Sequence, residues 1–231
     1  MKTALQIILL LVLTTSLVNA QSTESGKKTL YLHSLLGVHV PSVGDVNAAL
    51  EPGGYLSFNR LYFSRGAGFY TIFPKVKLAS MFTFSSFSGS RDQGSQSNWL
   101  RGTSAGTALG ITLINGDNWQ VIPYGGIVYS WFGLRVANNA PANINFPGYF
   151  AGPSNQHHVS SEQFMGHFGL HLAKVRWGNS ALGQKLLLGI RAGYYLPIGS
   201  TVWKTNDVVL PGGPGSAAGG TYVQFMLGLL Q

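Results

Sequence analysis

Lys185-Leu186-Leu187-Leu188-Gly189-Ile190-Arg191-Ala192-Gly193-Tyr194-Tyr195-Leu196-Pro197-Ile198 is the stretch that decides the fold. In an extended chain successive side chains point to opposite faces. Leu186, Leu188, Ile190 and Ala192 then share one face, and Gly189, Arg191 and Gly193 share the other. An arginine on a lipid-facing strand position costs about 2–4 kcal/mol at the bilayer midplane. The parity of Arg191 puts it instead on the side of the small residues. A strand that is apolar on one side, and small or polar on the other, fits the wall of a narrow barrel whose greasy face points outward.

The same alternation recurs along the chain. It predicts strands over Leu30–Val40, Ala67–Phe73 (with an earlier start in Leu56–Phe63), Val76–Phe87, Thr103–Ile114, Trp119–Val136, Gln163–Arg176, Lys185–Ile198 and Thr221–Leu230. In the first, Leu30, Leu32, Leu36 and Val38 oppose His33, Leu35, Gly37 and His39. In the last, Val223, Phe225, Leu227 and Leu229 form one apolar face. These lengths suit a tilted strand, which needs about 9–11 residues to cross a bilayer. The connections alternate. Those at 73–75, 116–118 and 177–184 are short, and those at 41–66, 88–102, 137–162 and 199–220 are long. Short turns on one side, long loops on the other and an even strand number are the pattern of an outer-membrane barrel. The fold expected is all-β: an eight-stranded antiparallel up-and-down transmembrane β-barrel. A short helix is expected at Asp45-Val46-Asn47-Ala48-Ala49-Leu50, in the first long loop, stopped by Gly53-Gly54 and placed to cover the barrel mouth.

Composition agrees. Only 10% of residues are charged while 45% are hydrophobic, against about 25% charge in an ordinary soluble domain. Beyond the first twenty residues, the best uncharged apolar candidate for a membrane helix, 118–134, carries Pro123 and Gly125-Gly126, which disfavour a helix. Spanning without helices requires a closed barrel, because each backbone polar group in lipid needs an internal partner. All seven acidic residues (Glu24, Asp45, Glu51, Asp92, Asp117, Glu162 and Asp207) fall outside the expected strand cores. Trp119 and Trp177 fall near one set of strand ends, and Trp131, Tyr194 and Tyr195 near the other, as interfacial aromatic girdles do.

Residues 1–20 read as a cleaved signal peptide: Lys2, then apolar Ile7–Leu13, then Val18-Asn19-Ala20. Residues 21–28 are the expected periplasmic tail and 29–231 the barrel. There is no cysteine, hence no disulfide framework. The net charge of +8 forms no basic stripe interleaved with aromatics, which argues against nucleic acid.

The chain resembles the small outer-membrane β-barrel proteins of the Bacteroidetes type, porin-like or OmpA-like barrels. The residues that carry the resemblance are the export signal, Asp45–Leu50 before Gly53-Gly54-Tyr55, Gly189–Pro197 leading to Trp203, and the ending Gly220–Gln231. The resemblance implies an outer-membrane location and a barrel fold, and little chemistry. Barrels of this kind often end in an aromatic residue; here the last residues are Leu229-Leu230-Gln231.

There is no phosphate-binding Gly-Lys-Ser/Thr loop and no His-Glu-x-x-His. His167 and His171 share a strand face but lie about 13 Å apart along it, too far to chelate one metal. His157-His158 sits in an expected outer loop. His158, Ser160, Ser161 and Glu162 are the residues on which a lipid hydrolase or acyltransferase would have to rest. No cofactor is expected. Eight strands give an interior that side chains fill, so His33, His39, His167, His171, Arg191, Tyr195 and Tyr222 are expected to plug the lumen as a polar network. Lys27, Lys28, Lys75, Lys77, Lys174, Arg176 and Lys185 are expected to form a basic periplasmic rim, suited to anionic head groups or an acidic partner. The reading is a non-enzymatic outer-membrane barrel, structural or partner-binding. Its expected partners are outer-membrane lipid and a periplasmic or outer-membrane protein. The alternatives are a soluble lipocalin-like barrel holding an apolar ligand, and an outer-membrane lipid hydrolase or acyltransferase.

Overall fold

The structure is a computed structural model and describes residues 29–116, 118–138, 156–215 and 217–231. The expected signal peptide and tail, with Lys27 and Lys28, lie outside the described residues, as does most of the third long loop. Eight antiparallel strands close into a ring: β1 (Thr29–Pro41), β2 (Tyr62–Phe73), β3 (Leu78–Gln93), β4 (Gln96–Ile111), β5 (Trp119–Asn138), β6 (Gln156–Val175), β7 (Leu186–Pro197) and β8 (Gly220–Leu230). Each pairs with the next in sequence, and β1 pairs with β8, from Tyr31 opposite Leu230 to Pro41 opposite Gly220. Closure leaves no barrel edge unpaired, as an apolar medium demands. Among the described residues no helix is long and apolar enough to cross a membrane.

The facing follows the alternation. Leu36, Phe84, Leu109, Ile127, Phe168, Ile190 and Phe225 are exposed on the outside. Their sequence neighbours Leu35, Ser85, Ala108, His167 and Arg191 are buried inside. Small residues on the inner face let large ones fill the lumen. Gly193 is one case: a Cβ there would come 2.6 Å from the Tyr222 hydroxyl.

Four expectations about boundaries are corrected. Residues 88–102 are not a long loop, because β3 and β4 continue until Gln93 pairs with Gln96. The turn between them holds Gly94 at a φ of +58°. β6 begins at Gln156 rather than Gln163, so His157 and His158 lie in a strand. Asp92 and Glu162 therefore also lie within strands, both at the loop end and both exposed. The last long loop carries its own hairpin, Trp203–Thr205 against Val208–Leu210, turned by Asn206 and Asp207 at φ 45° and 66°. The ladder thus outruns the hydrophobic pattern at the loop end, and the barrel is uneven. β3–β6 run 16, 16, 20 and 20 residues, and β7, β8, β1 and β2 run 12, 11, 13 and 12.

The expected helix is present as α1 (Gly44–Leu50), with Val46 buried. It lies over the mouth. The Asn47 side-chain amide donates to the Phe58 carbonyl (3.1 Å), and the Phe58 backbone N–H donates to Asn47 Oδ1 (2.7 Å). This pair of hydrogen bonds clamps the first loop into one compact unit.

Candidate functional site: the barrel interior and its rims

The interior has three levels. At the loop end an apolar plug joins Val43, Val46 and Phe58 of the first loop to Phe87, Leu100 and Phe132 of the wall and to Trp203 and Ala218 of the last loop. Trp203 keeps its indole satisfied by donating Nε1–H to the Pro214 carbonyl at 2.7 Å.

The middle level is polar. Arg191 is 1% exposed. Its Nη1 donates to Thr83 Oγ1 at 2.7 Å and its Nε to the Tyr124 hydroxyl at 3.3 Å. The guanidinium also lies 4.7 Å from the Tyr124 ring centroid, a cation–π distance. The Tyr124 and Tyr222 hydroxyls are hydrogen-bonded to each other, and the Tyr222 hydroxyl meets His167 Nε2 at 2.7 Å. His167 stacks on Tyr195 with ring centroids 4.6 Å apart. The Gln224 amide donates to Ser64 Oγ and Ser85 Oγ at 3.2 and 3.0 Å.

Toward the turn end, Tyr70 donates to Gln120 Oε1 (2.6 Å) and the Gln120 amide donates to the Tyr31 hydroxyl (2.8 Å). The rings of Tyr31 and Tyr70 stack at 4.5 Å.

The seven residues singled out from sequence all lie inside, but they do not form one network. Arg191, His167, Tyr195 and Tyr222 are joined, through Tyr124. His33 and His171 instead pack against Tyr70, at 5.8 and 4.7 Å. His39 stacks on Phe87 at 4.3 Å and touches the joined group only through a tilted ring contact with Tyr195 at 5.8 Å. Sequence reasoning passed over Thr83, Tyr124, Gln120 and Gln224, which carry much of the bonding. Parity held the signal for three of them: Thr83 lies between Phe82 and outward Phe84, Gln224 between outward Val223 and Phe225, and Gln120 between Trp119 and Val121.

A void of about 10 Å³ bordered by His39, Ser85 and Tyr195 has room for about one water. Among the described residues the buried polar set contains no carboxylate, so no carboxylate–histidine pair is buried here. Also among the described residues, no group of three or more His, Asp or Glu is placed to hold a metal. The outer cluster is divided: Ser161 is buried on the inner face, while His158 and Glu162 are exposed on the outer one. Glu162 accepts the Tyr129 hydroxyl at 2.7 Å. Ser160 shares the outer face with His158 and Glu162, but alternate residues on a strand stand about 7 Å apart, and the Glu162 carboxylate is engaged by Tyr129 rather than by His158.

At the turn end Lys75, Lys77, Arg176 and Lys185 are exposed. Lys174 is half-buried, its ammonium 4.3 Å from the Trp177 ring centroid and 5.9 Å from that of Trp119. A shallow groove of about 410 Å³ runs along Asn118, Lys174, Arg176, Trp177 and Gln184.

The fold and interior define a class: a small eight-stranded barrel with an apolar outer belt and an interior lined by polar and aromatic side chains. No family model matches the chain, and no curated protein matches it. Among solved structures it is similar to a major outer membrane protein from Thermus thermophilus, at 12% identity and a TM-score of 0.54, covering 89% of this chain and 98% of that one. It is also similar to Ail, the attachment invasion locus protein of Yersinia pestis, at 9% identity and a TM-score of 0.49, covering 90% of this chain and 100% of that one. At these identities the likeness is one of fold.

Proposed function

We propose that the chain is a non-enzymatic integral outer-membrane β-barrel with a closed lumen, working as a structural or partner-binding protein. One observation carries this reading: an outward belt of exposed Leu, Ile, Phe and Val surrounds an interior filled at all three levels by side chains. A soluble barrel with an apolar ligand needs the reverse facing, and its cavity would have to lie where Arg191, His167 and Tyr222 are packed. Belt, girdle and resemblance to Bacteroidetes-type barrels all support the outer membrane as the address. The basic turn-end rim suits anionic head groups of the inner leaflet, and the loop end suits a partner. Fractionation tests the address: the protein is expected in the detergent-extracted membrane fraction, and recovery in the soluble periplasmic fraction would sink the reading. Planar bilayers test the lumen. Purified protein is expected to leave the baseline flat, and nanosiemens steps would refute closure.

A further inference from the structure

The long strands β3–β6 carry an outward surface above the apolar belt that nothing so far uses. Their registers set out its rows. Thr103 pairs with Trp131 at the girdle. One row farther out come Ser88, Arg101, Gly133, Ser160 and, on the small hairpin, Lys204. The next row is Ser90, Trp99, Arg135 and His158. Arg101 and Arg135 are both exposed, and among the described residues neither is ion-paired.

Trp99 lies beneath Arg135, whose guanidinium carbon is 6.0 Å from the ring centroid. Gly133 leaves a gap in this surface: a Cβ there would lie 3.8 Å from His158 Nε2 and 4.0 Å from the Trp99 ring. The surface continues into a groove of about 320 Å³ bordered by Ser90, Asp92, Ser97, Trp99 and Arg135. Asp92 is the single carboxylate bordering the groove; Glu162 lies in the girdle row opposite Trp131, where it accepts the Tyr129 hydroxyl.

We infer that this face is a docking site for the phosphorylated sugar head group of an outer-leaflet glycolipid. The inference rests on the outer-membrane reading. Three chemical features point to it. Two guanidiniums and the Lys204 ammonium outnumber the carboxylates of Asp92 and Glu162 and favour an anion, and guanidinium forks match phosphate oxygens. A half-exposed indole beside a bare glycine and several serine hydroxyls offers a sugar an apolar face to stack on and hydroxyls to bond. Height selects lipid over a soluble glycan. Arg101 lies two residues beyond the girdle row, about 7 Å along the strand, at head-group level and directly above the belt that would hold the acyl chains. The short strands carry one outward arginine at this end, Arg65 of β2, in the girdle row opposite Ser86; beyond it their outward residues are apolar and include Val40, Phe63, Leu196 and Ile198.

The test is binding of a detergent-dispersed, acylated, bis-phosphorylated glucosamine disaccharide to the purified full-length protein. Arg101→Gln/Arg135→Gln is expected to weaken binding by at least about tenfold, and Trp99→Ala by about threefold. The dephosphorylated lipid is expected to bind wild type as weakly as the double variant binds the intact lipid. Inositol hexakisphosphate, a polyanion without acyl chains, is expected not to displace it. Equal binding by the double variant overturns the inference, as does equal binding of the dephosphorylated lipid. Displacement by the soluble polyanion at matched concentration makes the occupant a soluble glycan or polyphosphate and overturns the lipid assignment. Unheated electrophoretic mobility confirms that each variant is folded. If these arms fail while the protein still fractionates with membranes, the docking site falls and the barrel reading stands.

Discussion

The long-stranded half of the barrel, β3–β6, and the short-stranded half, β7, β8, β1 and β2, solve the same problem below the girdle and part company above it. In the belt both alternate apolar outside with small or polar inside. Above it the short half gives way to loops, one of which, 42–61, crosses the mouth. The long half keeps its ladder, and its inner face receives that loop: the Asn98 amide donates to the carbonyls of Leu56 and Ser57 at 3.0 and 3.1 Å. Two walls of different height let a connection from one side be seated on the other. The outer face of the taller wall is left free for water or a partner. On the proposed reading, strand length beyond the bilayer is surface for recognition and a support for the seal, not a requirement of crossing.

The sharpest break of this comparison is an arginine placed on each wall. Ile190 is outward on β7, within the belt and paired with Leu172 and Phe225. Ile190→Arg is expected to destabilise the barrel by about 2–4 kcal/mol in urea titrations of protein folded into vesicles. Its sequence neighbour is already an arginine, buried inside, so one residue of phase separates a tolerated charge from a costly one. Ser90 is equally outward on β3 but lies above the belt, where Ser90→Arg is expected to change stability by less than about 0.5 kcal/mol. Equal costs at the two positions would mean that the belt is misplaced.

This difference also explains what could be read from the sequence. Periodicity reports the medium on each side of a strand rather than the ladder itself. Within the belt, lipid on one side forces Leu109, Ile111 and Leu113 against Ala108, Gly110 and Thr112, and the facing is legible. Above the belt, the outward residues Ser88, Ser90, Ser97 and Arg101 meet water, and the alternation fades although Gln93 still pairs with Gln96. A run of Ser, Gly, Gln and Asn then reads as a loop. The interior was legible as a set of inward residues, because parity needs only one strand. Which of them join was not, because Arg191 and Thr83 bond across 108 positions of sequence. Only closure of the ring brings β3 and β7 face to face.

A smaller effect probes the seal. Asn98→Ala removes both bonds to the first loop and leaves two half-buried carbonyls without that donor, a local cost of about 1–3 kcal/mol. The Asn47 clamp on Phe58 stays intact, so the loop is expected to swing as a unit instead of unravelling. Trypsin is expected to cut after Arg60 several-fold faster than in wild type, with the belt still resistant. Conductance is expected to stay at baseline, because the Arg191 level closes the lumen independently of the plug. Channel openings in this variant would show that the first loop, not the filled interior, is the seal.

The smallest effect sharpens the distinction between crossing and protruding ladder. Gly94, at φ +58° in the turn joining β3 to β4, occupies a left-handed conformation that a side chain adopts at a cost of about 1 kcal/mol. In the belt such a cost would be felt by the whole cooperative barrel. At the tip of the tall wall it acts on residues 88–101, which are held mainly by their own hairpin, by β5 and by contacts with the first loop. Gly94→Ala is therefore expected to leave the global urea midpoint within error and to raise amide exchange severalfold from Ser90 to Trp99. A shift of the global midpoint would mean that the protruding ladder folds as one unit with the barrel. The outward docking face would then be as rigid as the belt beneath it, whereas local exchange alone would make it a surface able to adjust to what it binds.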